Sequence, residues 1–271
     1  MWYNIIVNQK PSSPIIIFRF DRKVRICQNH LKHIRRLNPG VPIHGIYGGK
    51  EKDFPLYKKS LQPYFETLYC IRGQVKEWKW KNFDLALRQW YIDAGHAVYF
   101  DMAYIIEWDL LLLDSVSVLY SHIPAGHVGL TNLIPLKKIE HKWDWTAHEP
   151  SKSGWAALLQ DAKKRFHYTN TPHASLGPGL CVPKIFLEKY SKIQVPDFVH
   201  DELRVPLYAQ IFGLPLDNTN FTTDWFDETE HRYFNCRGEK NWYISTRTVH
   251  QEKNKINGRK AFHPFRGYIP K

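Results

Sequence analysis

Long apolar runs are missing from this sequence. No stretch approaches the roughly 18 residues that a membrane span requires, and the run at 110–113 is short and flanked by acids. Cysteine is scarce: Cys27, Cys70, Cys181 and Cys236 lie far apart in 271 residues and form no CxxC pair. That excludes a dense disulfide framework and makes a reducing, cytoplasmic location the expectation. Residues 1–10 lack a basic segment followed by an apolar core and a small-residue cleavage site, so no signal peptide is expected. Acids are outnumbered, 26 against 38 Lys and Arg, leaving a formal net charge of +12. Glycine motifs for nucleotides are also lacking. No GxGxxG follows a strand, and Gly45-Ile46-Tyr47-Gly48-Gly49-Lys50-Glu51 has short glycine spacing and no Ser/Thr after the lysine, so it is not a P-loop.

What is present is an ordinary globular composition, 43% apolar and 24% charged, with a heavy aromatic load of 10 Trp, 15 Tyr and 15 Phe. A basic, aromatic-rich chain suits nucleic acid, a nucleotide, a carbohydrate or an anionic membrane face.

The first half alternates strand and helix signals. Residues 15–20 form a β-branched apolar run after Pro14, and Val24, Cys27, Leu31 and Ile34 then mark one helix face that Asn38-Pro39-Gly40 ends. Strands follow at 42–47 and 67–71. Phe83, Leu87, Trp90, Tyr91 and Ala94 mark an amphipathic helix, and a further strand runs through 103–107. This alternation predicts an α/β fold with a mostly parallel central sheet flanked by helices. The second half is less regular: a turn-rich stretch at 172–183, a helix over about 200–212, and a basic tail over 253–271. No repeat, low-complexity segment or linker divides the chain, so one domain in unequal halves, about 14–115 and 116–271, is expected.

The most informative segment is the strand ending in Glu107-Trp108-Asp109, followed by 110–113 and Asp114. An acid-x-acid turn at the C-terminal edge of a parallel sheet stands where open α/β sheets bind ligands. Mg²⁺ or Mn²⁺ shared with a diphosphate needs only one or two protein carboxylates. Solvated loop acids after a strand explain the pair about equally well.

A strand–helix–strand half leading to such a turn resembles the A-type (GT-A) glycosyltransferases, which use nucleotide-sugar donors. The turn in that family is Asp-x-Asp or a variant such as Glu-x-Asp, and Glu107-Trp108-Asp109 matches the variant. The resemblance implies a Mn²⁺ or Mg²⁺ ion on Asp109, with Glu107 on the metal, its water or the ribose, and a metal ligand from the tail, His263, with His250 as rival. It implies cations for the diphosphate from Arg266 and from a lid of Lys253, Lys255, Arg259 and Lys260. It implies a nucleoside near Arg19, Asp21 and Arg22, and a phosphate contact from among Lys79, Lys81 and Arg88. Gly177 and Gly179 of Leu176-Gly177-Pro178-Gly179-Leu180 would form an acceptor-side loop, where glycine permits close backbone approach. Trp143, Trp145 or Trp155 would stack on an acceptor sugar. In inverting members an acid at the start of a helix removes the acceptor proton; His200-Asp201-Glu202-Leu203 offers Asp201, narrowly preferred, or Glu202. The expected partners are a UDP-type nucleotide-sugar donor and a glycan or lipid-linked acceptor, in surface glycan synthesis of bacterial type at the inner membrane face, and not nucleic acid.

Two other readings compete. A nucleic-acid-binding protein or metal-dependent nuclease would gather Glu107, Asp109 and Asp114 around two metals, although the basic residues are dispersed. A non-catalytic carbohydrate-binding module would leave the acids incidental. Cys27, His30 and His33 recur every three residues, but Cys27 lies on the apolar helix stripe and no fourth ligand is evident, so they are expected to be structural. Asn220-Phe221-Thr222 is a sequon that matters only on secretion.

Overall fold

The computed structural model describes residues 13–224, 226–236 and 243–269. The segment read for a leader and the last two tail residues lie outside that range. Four apolar segments build the parallel part of the sheet: β1 (Pro14–Phe20), β2 (Ile43–Tyr47), β3 (Thr67–Cys70) and β4 (Met102–Glu107). Helices α1 (Val24–Leu37), α2 (Phe54–Leu61), α3 (Lys76–Lys81) and α4 (Phe83–Asp93) connect them. Then come β5 (Leu111–Leu112), α5 (Val116–Leu119), β6 (Val128–Pro135), α6 (Asp144–Ala147), α7 (Ser151–Phe166), β7 (His173–Pro183), α8 (Lys184–Ser191), α9 (Asp201–Ile211), β8 (Leu216–Asn218), α10 (Thr246–Lys253) and β9 (Ala261–Phe262).

The seven-stranded sheet has the order β3-β2-β1-β4-β7-β6-β8, and β5 pairs with β9 in a separate ribbon. Strands β3, β2, β1 and β4 are parallel, β7 runs antiparallel to β4 and β6, and β8 is parallel to β6. The architecture is α/β with a mostly parallel sheet, in agreement with the GT-A-like expectation. Because β1 is central, both its faces are buried. Ile15 and Ile17 pack in a core with Trp90, Tyr190 and Tyr208, while Ile16, Phe18 and Phe20 pack with Leu31 and Phe65 on the other face. Helix α1 ends where Asn38 Nδ2 and its amide both donate to the Ile34 carbonyl. Among the described residues no helix is long and apolar enough to cross a membrane.

Two segments differ from the sequence reading. The stretch read as turns, 172–183, is the 11-residue strand β7. Its Gly-Pro-Gly is absorbed as a bulge: Leu176 pairs with Thr131 but Cys181 pairs with Gly129. Gly179 takes φ +82°, and the displaced carbonyls of Pro178 and Gly179 accept from Thr131 Oγ1 (2.8 Å) and Tyr120 Oη (2.9 Å). The basic tail is likewise built in, not draped over the surface. Phe262 and Phe265 are fully buried, and β9 pairs with the ribbon strand just past the acid-x-acid turn.

Helix α9 is anchored by a buried ion pair. Arg204 donates through Nε to Asp84 Oδ2 (2.8 Å) and through Nη2 to Oδ1 (2.5 Å), and Tyr190 Oη also donates to Asp84. Pro206 lacks the amide that would bond the Glu202 carbonyl, which accepts instead from Ser175 Oγ on β7 (3.5 Å).

Candidate active site

The C-terminal ends of β1 and β4, the bulge of β7 and the start of α9 enclose a cleft of about 680 Å³. On one wall β4 ends at Glu107, and the Trp108 amide donates to the Arg19 carbonyl (2.8 Å), which turns Asp109 inward to 5% exposure. The Phe265 amide donates to the Asp109 carbonyl (2.7 Å), so the ribbon that buries the tail also delivers His263 to the turn. His263 Nε2 stands 3.7 Å from Asp109 Oδ1 and 4.0 Å from Glu107 Oε2. Arg266 Nε donates to Asp109 Oδ2 (3.2 Å).

The ligand atoms of Glu107, Asp109 and His263 all lie within 4.8 Å of one another. Since the Asn235 carbonyl can only accept, His263 Nδ1 donates to it (3.0 Å), leaving Nε2 as the atom that faces the carboxylates. Two carboxylate oxygens and one imidazole nitrogen form a donor set suited to a divalent cation. Cys236 Sγ lies 3.7 Å from His263 Nδ1, on the side of the ring away from the carboxylates, and burial pushes its thiol well above the usual range. Burial also raises the Glu107 carboxyl, against the pull of Arg19 and His263. Burial acts on Asp109 in the same direction, but His263 and Arg266 outweigh it and hold that carboxyl at about 2. Burial would lower His263, yet Asp109 and Glu107 raise it.

The opposite wall is the first turn of α9, where His200 occupies the N-cap. Its Nδ1 stands 2.8 Å from Asp201 Oδ1 and 3.3 Å from the Glu202 amide, so a neutral ring caps the helix and a protonated ring pairs with the carboxylate. Burial works against the imidazolium, but Asp201 and Glu202 raise His200 overall. Asp201 would be raised by burial, and His200 brings it below the ordinary value. Glu202 is raised by burial, and both its oxygens are occupied: Oε1 accepts from the Gly177 amide (2.9 Å), Oε2 from Trp145 Nε1 (2.7 Å).

Of the residues expected from sequence, Arg19, Asp21, Arg22, Glu107, Asp109, Trp143, Gly177, Asp201, Glu202, His263 and Arg266 all line this one cleft. Others do not join them. Lys81 is absent from the lining, and Arg88 is spent on the carbonyls of Tyr190, Ser191 and Ile193 beside a separate groove of about 740 Å³. That larger groove holds neither Glu107, Asp109 nor His263, which line the smaller cleft. Lys79 lines the cleft, but its Nζ donates to the carbonyls of Gly49 (3.1 Å) and Ile71 (2.7 Å). Gly179 packs under Phe221, where a Cβ would come within 2.7 Å of the ring. Trp155 lies in the core.

The expected lid does not form: Lys255 pairs with Glu252, Arg259 with Glu230, and none of the four lid cations lines the cleft. His250 is exposed on α10 beside Asn254. Asp114 accepts from the Ser115 amide and is absent from the ligand cluster, which removes the carboxylate the nuclease reading needs. His30 and His33 are committed to the carbonyls of Gly267 and Leu112. Sequence reasoning missed Trp80, which stands in the cleft wall within the charged run Lys76-Glu77-Trp78-Lys79-Trp80-Lys81. Two tryptophans among lysines on a six-residue helix are the signal that could have found it. His200 has no sequence signal beyond its place before the two acids.

No protein-family model matches this chain, and no curated protein does. Among solved structures, the galactosyltransferase LgtC, described in complex with donor and acceptor sugar analogs, aligns with a TM-score of 0.42 and 12% identity, covering 82% of this chain and 74% of its own. A cytidylyltransferase from Leptospira borgpetersenii aligns with a TM-score of 0.43 and 11% identity, covering 76% of this chain and 75% of its own. Similarity at this level adds nothing about chemistry, so the functional reading rests on the topology and on the geometry of the cleft.

Proposed function

We propose that the chain is a metal-dependent glycosyltransferase that moves a sugar from a nucleoside-diphosphate donor to an acceptor hydroxyl. The observation that supports this most directly is the placement of two opposed groups in one cleft. The Glu107–Asp109–His263 cluster, with Arg266 beside it, faces the buried carboxylates of Asp201 and Glu202. Glu107, Asp109 and His263 would hold Mn²⁺ or Mg²⁺, which when bound neutralises charge developing on a leaving diphosphate. Arg266 adds a cation beside the cluster, and Arg22 and Lys76, both paired with Asp21, line the same cleft, where a diphosphate would lie.

Asp201 is the base in this reading, because His200 keeps it ionised while both oxygens of Glu202 are engaged. The acceptor oxygen bonds to the anomeric carbon, the bond from that carbon to the diphosphate oxygen breaks, and the acceptor proton passes to Asp201. The outcome is inversion. Glu202 then acts as a brace between the β7 bulge and Trp145. The whole chain serves as one transferase domain with a UDP-type donor, acting on a glycan or lipid-linked acceptor in the cytoplasm, at the inner membrane face. The +12 charge fits that anionic surface and the diphosphate together. The test is turnover of nucleotide sugars with Mn²⁺: transfer lost in both Asp109→Ala and Asp201→Asn supports the assignment, and transfer unchanged in either removes that residue's role.

A further inference from the structure

We propose that Trp80 and Trp145 form a carbohydrate subsite in the cleft, and that the acceptor they take is a neutral pyranose-bearing glycan. This deepens the transferase reading and rests on it for the name acceptor, though the subsite can be tested by itself. The indole of Trp80 lines the cleft yet remains 53% exposed. Its position is fixed from behind. Its carbonyl accepts from Arg19 Nη2 (2.8 Å), and its ring meets His200 edge-on, with centroids 5.2 Å apart at 69°. Trp145 stacks on the same imidazole, 4.4 Å away at 16°, while its Nε1 donates to Glu202. The two indoles, 6.1 Å apart at 55°, therefore make a corner around His200.

The chemistry of that corner selects its occupant. A pyranose ring presents C–H groups on one face, which suit the negative face of an indole, and hydroxyls around its rim. The corner supplies both partners: exposed indole surface from Trp80, and the carboxylate of Asp201, next in sequence to His200 and part of the same cleft lining. Gly177 lines the floor, where a Cβ would stand in ordinary contact with Glu202 Oε1 (3.6 Å) and Asp201 Oδ1 (3.9 Å). A nucleobase stacked on Trp80 would meet Lys76 and Lys142 as well as Asp144 and Asp201, so the diphosphate probes below separate that occupant from a sugar. A neutral sugar covers the indole and presents a hydroxyl to Asp201 at once.

The experiment uses the full chain with Mn²⁺ and two probe sets: UDP, GDP, CDP and ADP by calorimetry, and lactose, maltose and cellobiose by saturation-transfer NMR. We expect at least one disaccharide to bind, with saturation concentrated on the C–H protons of one ring face. Trp80→Ala should weaken it about tenfold while Trp80→Phe stays within about twofold, and diphosphate affinity should be the same in all three proteins. Disaccharide affinity equal in wild type and Trp80→Ala overturns the subsite. So does a protein that binds a diphosphate but none of the sugars. Trp80-dependent sugar binding without binding of any diphosphate leaves the subsite standing and removes the transferase reading.

Discussion

Arg19 and Glu107 stand opposite each other in the parallel register of β1 and β4, and meet as an ion pair at 2.8 Å. The guanidinium also donates to the carbonyls of Lys79 (3.2 Å) and Trp80 (2.8 Å) and lies over the Phe83 ring. One residue thus ties the first acid of the turn to the helix that carries Trp80. The resemblance sets Arg19 beside a nucleoside; the geometry spends its nitrogens on protein partners instead.

That pairing yields a stability test. Arg19→Met leaves the Glu107 carboxylate without its partner in a part-buried site, and should cost about 2 kcal/mol in urea unfolding. Adding Glu107→Gln should recover most of that loss. If the double variant is no more stable than Arg19→Met, the two residues are not coupled as described.

The mount of α9 gives a second. Asp84 and Arg204 are buried, and breaking such a pair by removing one partner typically costs about 3–5 kcal/mol. Arg204→Met should fall in that range by denaturant unfolding. Asp84→Leu combined with Arg204→Met should regain a large part. An Arg204→Met protein of wild-type stability would mean the pair does not hold α9 in place.

The N-cap histidine sets a pH dependence. Asp201 and Glu202 raise His200 above its unfolded value of about 6.5, so folding is favoured by proton binding there. That contribution is fully present below about pH 6.5 and is lost as pH rises through the folded value. Asp201 has the opposite sign: its lowered carboxyl contributes above the unfolded value of about 3.9 and loses that contribution as pH falls through the folded one. Stability measured from pH 6 to 9 should therefore decline more steeply in wild type than in His200→Gln. Parallel curves would contradict the His200–Asp201 pairing.

Much of the parallel half was legible because its strands are continuous apolar runs broken by Gly and Pro, a pattern that local sequence carries by itself. The strand at 103–107 ending in acid-x-acid located one wall of the cleft. The second half was harder for a physical reason. Gly177-Pro178-Gly179 has turn composition, yet Thr131 and Tyr120, distant in sequence, satisfy the displaced carbonyls and let β7 run through. The tail has the composition of a solvated charge run, because the burial of Phe262 and Phe265 depends on the ribbon pairing of 111–112 with 261–262. His263 was reached by resemblance, and the ribbon is what brings it to Asp109. Trp80 was hidden because a tryptophan in a lysine-rich stretch carries no periodic signal, and only the assembled cleft shows which way the helix places it.

The most direct test of the metal-centred cleft is thermal unfolding of wild type and Asp109→Asn with each nucleoside diphosphate, with and without Mn²⁺. Wild type should be stabilised by one base in particular and only when Mn²⁺ is present, by about 2.7 kcal/mol at a hundredfold excess over Kd, and Asp109→Asn should show no Mn²⁺-dependent shift. Stabilisation that is the same without Mn²⁺, or that survives in Asp109→Asn, would contradict a metal-held diphosphate at this turn.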